Sequence, residues 1–439
     1  MNPKSRLVRR LRPVARGAAL LMAASLCPAA ALADTPTANR TRRAPASAVT
    51  YGTQAQVDAH KKDCVAGDVC VKLIVHCAPI PAARAIPPRY RAANKRPDVL
   101  IRIKGPDAVA FPDGPIGGVI LNTGGGSGSF YGGSSEPTGA RYQVYASRTV
   151  DNLNLAGYQT FETRWLEAPS TGRHRTGSGM FAGAEGYGGE KMMCGVSEVA
   201  EWLSLNFTPA DVDLQHQRLC ATGNSGGGMQ IAFALSAYNA GRYVKTALFS
   251  GGPSWASVHG MCFESEYQSG RLPNGEVDPL TPQSLTAGSH GSYGRQQMEI
   301  LLDLPVNPNG DPDHGSSYCS VGQEANLIAD LGQAEYDFLI SSSLEQNGIN
   351  SPTRNFTLPA VLKIFVSGEL DVTGAKVQGD RYKSAILDSG GTVLEDHVLD
   401  AGTSNLDYLQ HEIQNTDSGA LKIEHNLTTG TRCTYSPVL

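Results

Sequence analysis

Short apolar runs alternate with longer amphipathic stretches along most of this chain. "VCVKLIVHCAPI" (69–80), "DVLIRIKG" (98–105), "GGVILNTGGG" (117–126), "GYQTFETRWLE" (157–167) and "QRLCATG" (217–223) have strand length and composition, as do "YVKTALFSGG" (243–252), "PAVLKIFVSG" (359–368) and "GTVLEDHVLDAG" (391–402). Helical patterns fall between and after them, at 195–207, 227–241, 375–390 and 404–415, the second stopping at Gly241. Alternation of this kind predicts an α/β fold, a mostly parallel central sheet with helices on both faces. Two stretches break the pattern: a Pro/Arg-rich loop at 79–97 and a long irregular segment at 253–357. No internal repeat is present.

The first 33 residues read as an export signal and not as part of the fold. Lys4, Arg6, Arg9, Arg10, Arg12 and Arg16 form a basic region before "GAALLMAASLCPAAALA", and Ala31-Leu32-Ala33 reads as a cleavage site before Asp34. The apolar run is short for a membrane span and contains Pro28, so no span is expected in the mature chain. A secreted or periplasmic protein follows, opening on an extension with one strand (34–97). The leader takes six of the 37 basic residues and no acid, leaving 31 against 41 and a net charge of about −10. That balance gives no electrostatic reason to bind nucleic acid or anionic lipid. Eight cysteines remain beyond the leader, an even number suited to disulfides in an oxidising compartment. Local closure within 64–77 and a Cys262–Cys319 bridge are the expected pairings. No C-x-x-C pair suggests a zinc ribbon, and "NPNGDPDHG" (307–315) lacks the closing glutamate of a calcium loop, so no metal is expected.

The chemistry concentrates at "CATGNSGGG" (220–228), where Ser225 follows a strand, precedes a helix and is crowded by glycines. A serine at such a junction must turn the chain sharply, with positive φ at a cost of about 1–3 kcal/mol. Strand and helix then approach so closely that Gly223 and Gly227 leave no room for a Cβ. The turn bares the hydroxyl and sets the Gly226 N–H at a helix N-terminus, where it can face an oxyanion. These residues, with the glycine run Gly124-Gly125-Gly126 after an earlier strand, resemble the α/β-hydrolase superfamily: G-x-S-x-G as Gly223-Asn224-Ser225-Gly226-Gly227, and an HGGG-like loop with Thr123 in place of histidine.

The resemblance implies an α/β-hydrolase core over 98–252 and 358–439, with a cap inserted at 253–357. It implies Ser225 as nucleophile and an oxyanion hole from Gly125, Gly126 and Gly226. Asp371, in "SGELDVTG" (367–374), takes the acid's place, with Glu369 as runner-up. The histidine is expected just past the next strand, where Thr403 stands instead. Of the histidines downstream, His397 needs the smallest shift of the strand end and is the candidate base; His411 and His425 are alternatives, and His174, His290 and His314 lie in loops upstream. Trp255, Phe263, Tyr267, Tyr293 and Tyr318 are candidates for lining an acyl pocket under the cap. The expected function is cleavage of a carboxylic ester, small-molecule or polymeric, through an acyl-enzyme and without a cofactor. Acyl transfer, or a non-catalytic binder with a degenerate triad, are the alternatives. Nothing in the sequence bears on oligomeric state.

Overall fold

A computed structural model describes residues 49–58, 64, 69–75, 98–123, 130–133, 144–166, 188–208, 219–252, 355–369, 375–399 and 413–435, with scattered positions between 254 and 344. The strands are β1 (Val49–Tyr51), β2 (Val69–Val75), β3 (Asp98–Lys104), β4 (Gly117–Thr123), β5 (Tyr158–Leu166), β6 (Leu219–Asn224), β7 (Val244–Ser250), β8 (Leu362–Gly368) and β9 (Glu395–Leu399). The helices are α1 (Gln54–Asp58), α2 (Val144–Leu155), α3 (Gly188–Phe207), α4 (Gly226–Tyr238), α5 (Glu324–Leu331), α6 (Ala375–Asp388) and α7 (Asp417–Thr428).

All nine strands form one sheet in the order β1-β2-β3-β5-β4-β6-β7-β8-β9. The pairings β1–β2, β2–β3 and β3–β5 are antiparallel, and every pairing from β5 through β4 to β9 is parallel. β2 is therefore integral to the sheet, although by sequence it lies in the extension before residue 98. Side chains of successive strand residues point to opposite faces, which divides the core in two. Ile120, Ala221, Phe249 and Phe365 pack with α3, α4 and α6. Leu121, Cys220, Leu248 and Val366 pack with α2 and α7. Continuous burial along β6 explains why its sequence shows no polar alternation.

Two helices carried no readable stripe. α2 buries only Ala146, Thr149, Val150 and Leu153, and α7 buries Gly419, Ala420 and Asn426 beside Ile423 and Leu427. Small and polar residues on the inner face leave too few apolar positions to mark a period. Of the segment expected to be helical at 404–415, residues 413–415 form a 3-10 turn and 404–412 lie outside the described residues.

Cys64–Cys70 closes the expected local disulfide, and Cys220–Cys433 ties β6 to the C-terminal segment. That segment seals the amino edge of the sheet, with a Gly117–Thr434 bridge and Lys245 Nζ donating to the Thr431 carbonyl at 2.6 Å. Cys77, Cys262 and Cys319 lie outside the described residues.

Lys363 is a charge in the interior held by backbone carbonyls alone among the contacts described. It lies on β8 and is fully buried, its Nζ donating to the carbonyls of Thr357 at 3.1 Å and Leu358 at 2.9 Å. Burial pulls its pKa down from 10.5 to about 8. Above that value the folded state has released a proton that the unfolded chain still holds, so stability rises with pH until the lysine of the unfolded chain also titrates. The buried hydroxyls of Tyr131, Tyr382 and Tyr435 are pushed up by desolvation and act in the opposite sense at higher pH. Denaturant unfolding between about pH 8 and 10 is expected to show stability climbing in the native chain and climbing less in Lys363→Met. Equal slopes would show that Lys363 does not titrate in this window.

Candidate active site

Ser225 stands between the last residue of β6 and the first of α4, at φ 53° and ψ −131°. Among the described residues only Ser225, Asn239 and Leu358 combine a side chain with positive φ. The turn is held by backbone contacts on both sides. Ser225 N–H donates to the Ser250 carbonyl at 3.3 Å, and Ser225 O accepts from Gly228 at 3.0 Å and Met229 at 3.3 Å. A Cβ at Gly223 would lie 2.5 Å from the Gly227 carbonyl carbon and 2.7 Å from Gly228 N, and one at Gly252 would lie 2.8 Å from Ser225 O. The glycines clear the approach of helix to strand, as the sequence implied, and Gly252 of the loop after β7 joins them. α4 can lie this deep because every residue from Gly226 to Ala237 is buried. Taken as a whole residue, Ser225 is buried, 5% exposed.

The loop that would supply further oxyanion donors leaves β4 beside the elbow, since Thr123 pairs with Asn224. Gly125 and Gly126 lie outside the described residues, but the chain on their far side is firmly held. Arg102 of β3 and Glu162 of β5 are register partners, 2% and 0% exposed, joined by Nε–Oε2 at 2.7 Å and Nη2–Oε1 at 2.9 Å. Glu162 Oε1 also accepts the Gly132 N–H at 2.8 Å, Arg102 reaches the Gly133 carbonyl, and the guanidinium lies 4.4 Å from the Phe130 ring centroid. Two hydrogen bonds to residues 130–133 and the contact with Phe130 add to the pair's own two bonds and satisfy charges that would otherwise be costly to bury.

Asn122, fully buried on β4, faces the other side of the sheet. Its Oδ1 accepts from Thr163 Oγ1 at 2.6 Å and Trp165 Nε1 at 3.0 Å, and its Nδ2 donates to the Gly227 carbonyl at 3.1 Å and Gln230 Oε1 at 2.7 Å. Neither Asn122 nor the Arg102–Glu162 pair was singled out in the sequence. Their signal is a polar or charged residue at the centre of an apolar run ("VILNT", "LIRIK", "TFETRW"), a position a strand fills only when the group is partnered.

The structure does not bring His397 to Ser225. It pairs with Val366, Val366 with Ser250, and Ser250 with Asn224, which puts it three strand spacings from the elbow, about 14 Å. Its ring points to the α7 face, opposite α4, where Nε2 lies 2.7 Å from Glu395 Oε2 and 3.0 Å from Asn426 Nδ2. Arg432 completes this cluster by donating to Glu395 and to Asn426 Oδ1. The period-two alternation that buries Leu399 among α7 side chains carries His397 to the same face, so the shift in strand end that would recruit it does not occur. His425 is exposed on α7, its Nε2 3.4 Å from Thr429 Oγ1. Asp371, Thr403, His411, His174, His290 and His314 lie outside the described residues. Of the aromatics in 253–357, Trp255 and Phe263 are buried in the core, their rings 5.5 Å from Phe356 and 6.5 Å from Tyr336, and serve packing. Tyr267, Tyr293 and Tyr318 lie outside the described residues.

No family model and no curated protein matches the chain. Among solved structures it is similar to a hyperthermophilic esterase from the archaeon Pyrobaculum calidifontis, at 12% identity and TM-score 0.37 over 76% of this chain and 80% of that one. It is also similar to a lipase in its open form, at 16% identity and TM-score 0.38 over 77% and 94%. Brefeldin A esterase, a bacterial homologue of human hormone-sensitive lipase, compares at 14% identity and TM-score 0.38 over 85% and 82%. What identifies the α/β-hydrolase fold is this chain's own geometry: parallel strands flanked by helices on both faces, with a strained serine at the strand-to-helix turn of β6 and α4.

Two substitutions test the frame of the site by denaturant unfolding. Gly223→Ala is expected to cost about 1–3 kcal/mol by overpacking, whereas Gly105→Ala, where a Cβ meets nothing within 4 Å, is expected to be near neutral. Glu162→Gln strands a buried guanidinium and is expected to cost about 3–5 kcal/mol. A near-neutral result at either site would show that the packing around it relaxes.

Proposed function

We propose that this protein is an exported serine hydrolase that cleaves carboxylic esters through an acyl-enzyme on Ser225. The observation that carries the reading is the positive-φ serine at the carboxyl end of β6, held by glycine backbone on two sides. Strain of this kind persists only where the surroundings enforce it, and it gathers at functional sites. Export is supported by the basic and apolar leader and by the Cys64–Cys70 and Cys220–Cys433 disulfides.

In the proposed reaction Ser225 Oγ attacks the ester carbonyl carbon and passes its proton to an imidazole. The tetrahedral oxyanion is met by the Gly226 N–H, at the N-terminus of α4, and by the N–H groups of Gly125 and Gly126. The carbon–oxygen bond to the leaving alcohol then breaks as the imidazolium returns the proton to that oxygen. Water repeats the sequence on the acyl-enzyme and releases the acid. Asp371 orients the imidazole and stabilises its charged form.

We assign the imidazole to His411. His397 and His425 are engaged on the α7 side, which leaves His411 among the histidines downstream of Asp371. The ends of β8 and β9 lie together, with Glu369 N–H donating to the Leu399 carbonyl at 2.9 Å. The strand ends that precede Asp371 and His411 in sequence are therefore neighbours, at the carboxyl edge where Ser225 stands. Residues 253–357 form the cap in this reading.

A fluorophosphonate probe is expected to label the folded protein at Ser225, and Ser225→Ala to lower p-nitrophenyl ester turnover about 10⁶-fold without loss of fold. His411→Ala is expected to lower kcat by at least about 10³-fold. Failure of the native protein to take the label at Ser225 would overturn the enzyme reading in favour of a binding protein. A loss below about tenfold for His411→Ala would move the base to another histidine.

A further inference from the structure

We infer that Asn122 is a positioning residue for the nucleophile: its side-chain amide holds the first turn of α4 against the sheet and so keeps Ser225 Oγ and the Gly226 N–H in register with each other. The inference rests on Ser225 being the nucleophile.

The argument starts from the strain at Ser225. A residue at φ 53° relaxes if the segment after it can move away, and the segment after Ser225 is the first turn of α4. Glycine at 223 permits the close approach of that turn but does not enforce it. Enforcement needs attraction between the sheet and residues 226–230, and Asn122 supplies it. Its Cα sits opposite Gly223 on one side and Thr163 on the other, beneath the helix. Nδ2 donates to the carbonyl of Gly227, two residues past the nucleophile, and to Gln230 Oε1 one turn on. Oδ1 is held in turn by Thr163 and Trp165, so the amide plane cannot rotate without breaking bonds on β5. All four hydrogen-bonding positions of the amide are used, in a side chain with no exposed surface. A saturated, buried amide of this kind is rigid, and its loss strands donors on one side and acceptors on the other.

Asn122 also sits next to Thr123, from which the glycine run 124–126 departs. One residue thus references the elbow to the strand that carries the other oxyanion donors. Being buried behind the elbow, it touches no substrate. Its effect should appear in the rate of bond making and not in substrate affinity.

The test is steady-state hydrolysis of a p-nitrophenyl ester and the rate of fluorophosphonate labelling at Ser225, measured well below the unfolding transition. Asn122→Asp keeps the acceptor contacts to Thr163 and Trp165 but removes both donors. It is expected to lower kcat and the labelling rate about tenfold or more, with KM within about twofold. Leu153→Ala, a buried change on the α2 face, destabilises the fold without touching this network and is expected to leave kcat within about twofold. If Asn122→Asp does not fold, Asn122→Ala carries the same readout. A native protein that takes the label while the folded Asn122 variant matches its kcat would overturn this inference alone. So would a loss in Leu153→Ala equal to that in the Asn122 variant. A native protein that takes no label would instead overturn the reading of Ser225.

Discussion

Where β6 meets α4, backbone lies against backbone with no side chain between, and this contact decides what the carboxyl edge of the sheet can be. A single methyl group at Gly223 would reach within 2.5 Å of the Gly227 carbonyl carbon. Without it, a 13-residue helix begins one residue beyond the serine, and the serine takes a conformation that side chains rarely adopt. The approach also sets the N-terminus of α4, with its first N–H groups, directly after the serine. In the proposed reaction, one steric concession supplies both the nucleophile and a donor for its oxyanion.

Such a contact must be held from outside, and the surrounding polar groups show how. Asn122 engages α4 from one face of the sheet. The Arg102–Glu162 pair engages residues 130–133, which pack toward α2, from the other. Both sit on strands that lie side by side in the sheet, and both use buried polar groups whose partners are backbone atoms of loops or helix turns. Buried polar groups are costly when unpaired and specific when paired. The elbow and the loop beside it are therefore referenced to the same rigid strands.

Parallel strands bring the remaining parts to the same edge. Thr123, Asn224, Ser250, Val366 and His397 form one row across five strands, and the connections that follow them depart on one side. Ligands of open α/β sheets bind outside the carboxyl ends of strands for this reason. A row places residues at one height but not on one face. His397 stands at the right level and projects the wrong way, bound to Glu395 and Asn426.

Local sequence determined much of this. Eight of the nine strands, the α4 helix and the strained serine between its glycines could be read from apolar runs and glycine placement, because both are local signals. β1, α2 and α7 could not, since a three-residue strand and helices with Thr, Gly and Asn on their buried faces have no period to detect. Tertiary structure alone decided which face His397 occupies, since that depends on strand pairing and on where Leu399 is buried. It also decided the partners of Asn122, Arg102 and Glu162, which are 30 to 108 residues distant in sequence for the contacts that matter here. A hydrogen bond across such a separation leaves no mark in the neighbouring residues. Only the folded sheet brings its two ends together.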